Sequence, residues 1–167
     1  MHSLTGIGVS PGVVVGPIYK IEKVVINQPV TASPREIYAA LTAVAEDLDY
    51  RALNAELEIA REVLQAQAMI AQDPALVEAI GARFPDDIQY PDVRSGVTDA
   101  FSGFRRALES LGGYFAERVS DLDEICERTL AYLAGIDAPT IVLSTPSIVI
   151  AEDLTPADTA ALDLNFA

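Results

Sequence analysis

Between positions 33 and 135 apolar residues recur every three or four positions, and outside that span the pattern changes to short β-branched runs. Ile37, Leu41, Val44 and Leu48 are spaced by four, three and four, which places them on one face of a helix. Ser33-Pro34-Arg35-Glu36 opens that helix, with serine as N-cap, proline at the first helical position and a glutamate that reaches back. Such a cap contributes about 1 kcal/mol. Leu57, Ala60 and Leu64 carry a similar stripe towards Ala71. No Gly or Pro lies between 35 and 73, so the pattern fits one long helix or two, and the weakly helical stretch 49–54 is the expected corner.

Asp73-Pro74 restarts a short helix with Leu76, Val77 and Ile80 apolar, and Gly81 is expected to end it. Positions 83–91, with two prolines and two further aspartates, read as a loop. Val97, Phe101, Phe104, Leu108 and Leu111 mark another amphipathic helix, stopped by Gly112 and Gly113. A last helix carries Phe115, Val119, Leu122, Cys126 and Leu133 and stops at Gly135.

The flanks read as strand. Runs at 13–15, 18–21 and 23–26 are rich in Val and Ile, punctuated by Gly6, Gly8, Gly12, Gly16, Pro11 and Pro17. Strand signals return at 140–143 and 147–151, and Thr155-Pro156-x-Asp158 caps one more short helix. The two β parts are expected to pair, with the helices as an excursion between them. The expected class is therefore α+β, an antiparallel helical bundle inserted into a small α/β subdomain. Its parts are residues 1–32, 33–135 and 136–167.

Charge narrows the partners. Eleven basic against 25 acidic residues among 167 give −14 and a pI near 4.2. Nucleic acid and anionic membranes need Lys and Arg, so they are excluded in favour of a basic protein partner or a purely solubilising role. No apolar run approaches the ~20 residues of a membrane span. The start lacks a signal peptide's basic end and apolar core, so a cytoplasmic location is expected. Cys126, the one cysteine, falls on an apolar stripe and reads as a buried thiol. His2 is the one histidine, without ligand-spaced Cys or acidic neighbours, which leaves no imidazole chemistry within the chain.

Three stretches carry the candidate chemistry. "GIGVSPGVVVG" (6–16) lacks the G-K-[ST] ending of a phosphate loop and reads as turns between short strands. "AQAMIAQDPAL" (66–76) suits either core packing or an adaptable partner-binding groove, through Met69 and Ile70 near a helix end. In "YFAERVSDLDEICER" (114–128), Glu117, Arg118, Asp121, Glu124 and Arg128 lie at helical neighbour spacings and are expected to pair on a solvated face.

Taken with "IVIAEDLTPADTAALD" (148–163), these stretches occur in an order that resembles the amino-terminal region of Enzyme I, the phosphoenolpyruvate–protein phosphotransferase of the bacterial sugar phosphotransferase system. Tyr114, Glu117, Arg118, Asp121 and Leu122 also fit that family's Y-x-x-E-R-x-x-D-L pattern. The resemblance implies that a swivelling phosphohistidine-type subdomain surrounds the bundle. It also implies a relay of phosphate from phosphoenolpyruvate, with magnesium, through a histidine to the small phosphocarrier protein HPr. The bundle would dock HPr through Met69, Ile70 and Leu76 as apolar patch, Asp73 meeting basic groups, and Ala107, Phe115 and Arg118 from the facing helices. Gln67 and Ala75 depart from relatives that carry a histidine and an acidic residue there.

The family's G-G-x-T-S-H-T phosphohistidine loop follows the "AEDLTP" motif, and the sequence stops before it. The expectation is therefore a truncated subdomain, with no catalytic residue, metal or cofactor in this piece. Such a piece docks HPr as a monomer but accepts no phosphate. The competing expectation is a stand-alone acidic helical module with no phosphotransfer role.

Overall fold

The computed structural model describes residues 11–21, 25–55, 57–111, 119–136 and 143–151, with Leu154, Thr159 and Leu162. Among these residues the elements are β1 (Ile18–Lys20), α1 (Pro34–Asn54), α2 (Glu58–Ala71), α3 (Pro74–Arg83), α4 (Arg94–Leu111), α5 (Val119–Leu133) and β2 (Ile148–Ile150). Five helices and a two-stranded parallel sheet make a mostly helical α+β fold. β1 and β2 pair in the register Ile18↔Ile148, Tyr19↔Val149 and Lys20↔Ile150, with all five helices between them in sequence.

The expected cap of α1 is present in full. The Ser33 N–H donates to Glu36 Oε2 at 2.7 Å, and the Glu36 N–H donates to Ser33 Oγ at 3.4 Å. Its periodic face, Ile37, Ala40, Leu41, Val44, Ala45 and Leu48, is buried. α1 packs most extensively on α2 and also on α5, while α4 packs on α3 and α5. α5 thus lies against both helical hairpins, and Leu122, Ile125 and Leu130 join the common core. It ends as expected at Gly135, whose φ of +67° lets the Gly135 N–H reach the Tyr132 carbonyl and the Ile136 N–H reach that of Ala131.

Four expectations need correction. The break between α1 and α2 falls at 55–57 rather than 49–54. Arg61 makes this possible without Gly or Pro, because its guanidinium donates to the Ala52 and Ala55 carbonyls at 3.4 and 3.1 Å. Gly81 lies inside α3 instead of ending it. It serves close approach, since an added Cβ would sit 3.0 Å from the Tyr38 hydroxyl. The helix ends at Phe84, whose buried ring stacks edge-on against Tyr90 at 5.0 Å.

The valines at 13–15 form no strand and are exposed, because no described strand lies alongside them to accept their backbone groups. Asp121, Glu124 and Arg128 do not occupy a solvated face. Asp121 and Glu124 are buried, because α5 is covered from two sides. Glu117, Arg118, Gly112, Gly113 and the 155–158 cap lie outside the described residues, as do His2, the first glycines, half of the run at 23–26 and most of that at 140–143.

The loop after α3 fastens the chain's entry to the bundle. Ala32 and Tyr90 exchange backbone hydrogen bonds of 3.1 and 2.9 Å, and the Val93 N–H donates to Val30 O at 2.8 Å. Asp92 accepts from the Val30 N–H at 3.3 Å and pairs with Arg94 at 2.8 Å. Arg94 also reaches the Ile26 carbonyl at 3.2 Å.

Candidate docking face

The α2–α3 corner is built from a helix end and a helix start placed back to back. The Gln72 and Asp73 N–H groups donate to the Met69 and Ile70 carbonyls at 3.2 and 3.1 Å, which closes α2. Asp73 then turns its carboxylate onto the Ala75 N–H at 2.8 Å and caps α3, with Pro74 at the first helical position. These bonds fix the backbone from which Met69 projects, 75% exposed. Ile70 is half-buried against the core and Asp73 is half-buried beside it. The corner therefore presents a flexible apolar side chain next to a carboxylate, on a rigid frame.

The other residues named from the sequence divide. Leu76 is completely buried and belongs to the core, so it offers no surface to a partner in this conformation. Ala107 is exposed on α4, and its carbonyl accepts the Ser110 hydroxyl at 2.7 Å. Phe115 and Arg118 lie outside the described residues.

Behind the corner lies a polar connection that the apolar periodicity does not reveal. Gln67, two residues before Met69, is completely buried and faces α5. Its Nε2 donates to Glu124 Oε2 at 3.0 Å and to Asp121 Oδ1 at 3.4 Å. Glu124 pairs onward with Arg128 at 2.9 Å, Arg128 with Asp47 of α1 at 3.6 Å, and Asp47 with Arg51 at 2.7 Å. Among the described residues the Gln67 Oε1 has no hydrogen-bond partner. This line of groups ties α2, α5 and α1 across the bundle and sets the rotation of α2 that points Met69 outward. A glutamine among the alanines of 66–71, with acids three apart in a later helix, was the available signal.

Two other features carry no chemistry. A cleft of about 390 Å³ between α1 and α5 is lined by Asp47, Arg128 and Tyr132, whose ion pairs already occupy the charges. The Cys126 thiol is pushed up to about 12 by burial, so it stays protonated. Among the described residues no cluster of His, Cys, Asp and Glu has metal-ligand geometry, and no helix is long and apolar enough to cross a membrane.

Five helices interrupting a parallel strand pair define the architecture among the described residues. Comparison with known proteins agrees with this architecture. The family described as PEP-utilising enzyme, N-terminal, matches residues 5–118, and the chain belongs to that family.

It is 39% identical over 170 residues to the phosphoenolpyruvate-protein phosphotransferase of Streptomyces coelicolor, covering 96% of this chain and 30% of that protein. It is 27% identical over 177 residues to the enzyme of the same name from Bacillus subtilis, covering 99% of this chain and 31% of that protein. The solution structure of Enzyme I (nEIt) superposes with a TM-score of 0.63 at 27% identity, over 78% of this chain and 54% of that one. The chain thus spans under a third of the length of these curated relatives.

Proposed function

We propose that this chain serves a phosphoenolpyruvate–protein phosphotransferase, and that its α2–α3 corner docks the phosphocarrier protein HPr. The observation that carries this reading is Met69, which stands in solvent beside Asp73 in a chain whose relatives bear that enzyme's name. The residues supply docking rather than chemistry. The one histidine is His2, which does not match the family's phosphohistidine motif, so no residue here is assigned the accepting imidazole.

Docking follows from the charges and the corner. The net charge of −14 draws a basic carrier towards the bundle and raises its encounter rate. Met69 then adapts its unbranched chain to the carrier's apolar patch. The Asp73 carboxylate, already fixed by the α3 backbone, meets a cation without further ordering.

Calorimetric titration with HPr tests the reading. Met69→Ala weakens binding by about tenfold, the loss expected of a central contact. Asp73→Asn keeps a competent cap but removes the charge, so it weakens binding at low salt and little at high salt. Unchanged affinity in both variants contradicts the reading. So does stable, acid-labile label on this chain after incubation with labelled phosphoenolpyruvate, magnesium and full-length enzyme.

A further inference from the structure

We propose that Arg94 is a positioning residue: it fastens the connector from β1 onto the bundle and so restricts where the strand pair stands relative to the docking corner. β1 and β2 pack on each other, and among the described residues neither makes an extensive contact with a helix. The placing of the sheet therefore falls to the connectors that join it to the bundle. Residues 25–33 are the described part of the first connector.

Two sets of bonds hold that connector. The inner set joins Val30 and Ala32 to Tyr90, Asp92 and Val93, and the Thr31 hydroxyl donates to Pro91 O at 3.0 Å. The outer set is one side chain that bridges two segments. Arg94 Nε and Nη2 donate to the two Asp92 carboxylate oxygens at 3.0 and 2.8 Å, while Nη1 donates to Ile26 O at 3.2 Å. A guanidinium carries its donors in a fixed plane, so a fork anchored on a carboxylate aims the remaining nitrogen in one direction. Asp92 is itself held by the Val30 and residue-94 N–H groups at 3.3 and 3.1 Å. Ile26 lies four positions before Val30 and is half-buried against the core. The bridge thus moves the connector's pivot outward from Val30 to Ile26.

What the bridge is for rests on the docking reading. A carrier seated at Met69 and Asp73 is bound to the bundle, whereas β1 and β2 belong to the other part of the fold. A shorter free connector leaves the strand part fewer positions relative to that carrier. The other ion pair of this loop, Arg35 with Asp87 at 2.7 Å, is exposed and ties the loop to α1 instead of to the connector. It supplies the control.

The test uses the full chain with no carrier present, so it reads the bridge whether or not the docking reading holds. Arg94→Ala keeps the backbone N–H that Asp92 accepts and removes the bridge. Backbone order parameters at Ile26, Asn27 and Gln28 fall from about 0.85 to below about 0.6, while those of Ala32, Tyr90 and the helices hold. Spin labels at Ser144→Cys and Glu46→Cys, both exposed positions, report the sheet-to-bundle distance by double electron–electron resonance. Cys126 stays unlabelled because its thiol is buried and protonated. The distance distribution widens in Arg94→Ala. It widens as much in Arg94→Lys, whose single ammonium cannot grip the carboxylate and aim at the carbonyl together. Asp87→Asn leaves it unchanged. An unchanged distribution in Arg94→Ala overturns the proposal, as does a lysine variant as narrow as the unaltered chain. Equal widening in Asp87→Asn also overturns it, by assigning the effect to the loop as a whole.

Discussion

Gln67 shows how one side chain can hold a surface it never reaches. Its amide lies between two buried carboxylates of α5, and removing it withdraws a donor that both share. Gln67→Leu is therefore expected to destabilise the fold by roughly 1–3 kcal/mol, read as a shift in urea midpoint. Unchanged stability would mean that α5 holds its carboxylates without help from α2.

The charged caps give a pH dependence of known sign. The Ser33 hydroxyl, followed by the Ser33 backbone and Gln89, holds the Glu36 carboxyl below its ordinary value. The Arg94 side chain, aided by the Arg94 backbone, holds Asp92 well below the carboxylate range. Folding lowers both values, so their stabilising effect is complete above the ordinary carboxylate pKa of about 4 and fades as pH falls through the lowered values. Urea midpoints taken from neutral to acid pH are expected to fall below about pH 4. Asp92→Asn lowers the neutral midpoint and flattens that fall, and an equally steep fall in the variant would remove Asp92 from the account.

Among the elements, α4 offers a paired test of close packing. In an exposed helix interior, Gly→Ala gains about 0.5–1 kcal/mol. Gly103 has open space where a Cβ would be added, so Gly103→Ala should gain this amount. At Gly96 an added Cβ meets the buried Phe84 ring, itself braced against Tyr90. Gly96→Ala should therefore lower the melting temperature while Gly103→Ala raises it, and the same sign for both would refute the packing described between α4 and the loop after α3.

What the chain disclosed in advance follows the range of the interactions involved. The α1 cap, the Asp73-Pro74 start and the Gly135 stop depend on neighbours within a turn, and all three were legible in sequence. The position of the α1–α2 break depends on Arg61 reaching back across the corner, so local weakness at 49–54 pointed a few residues early. Gly81 read as a stop because glycine usually marks one, yet it answers to Tyr38 of α1. In the candidate site, the spacing left 66–76 open between core and surface, and Met69 and Asp73 were singled out only through the family resemblance. Leu76 was not separable from them, because burial on α3 is decided by packing rather than by its own helix.

At the scale of the whole molecule, stability is unevenly distributed. The bundle holds a continuous core running from Val30 to Leu130, whereas β1 and β2 each contribute three residues, none of them fully buried. Hydrogen exchange should accordingly be slowest at the central amides of α1, α2 and α5 and markedly faster at Tyr19, Lys20 and Ile148. Equal protection in sheet and bundle would show that the strand pair shares the bundle's cooperative unit.

The central claim, that this bundle docks a basic phosphocarrier at the α2–α3 corner, is met most directly by one titration. The isotopically labelled chain is titrated with purified HPr at low and moderate salt while its amide shifts are followed. The docking assignment predicts salt-sensitive shifts centred on Met69, Ile70, Gln72 and Asp73. A well-dispersed spectrum that does not move at millimolar HPr would contradict it.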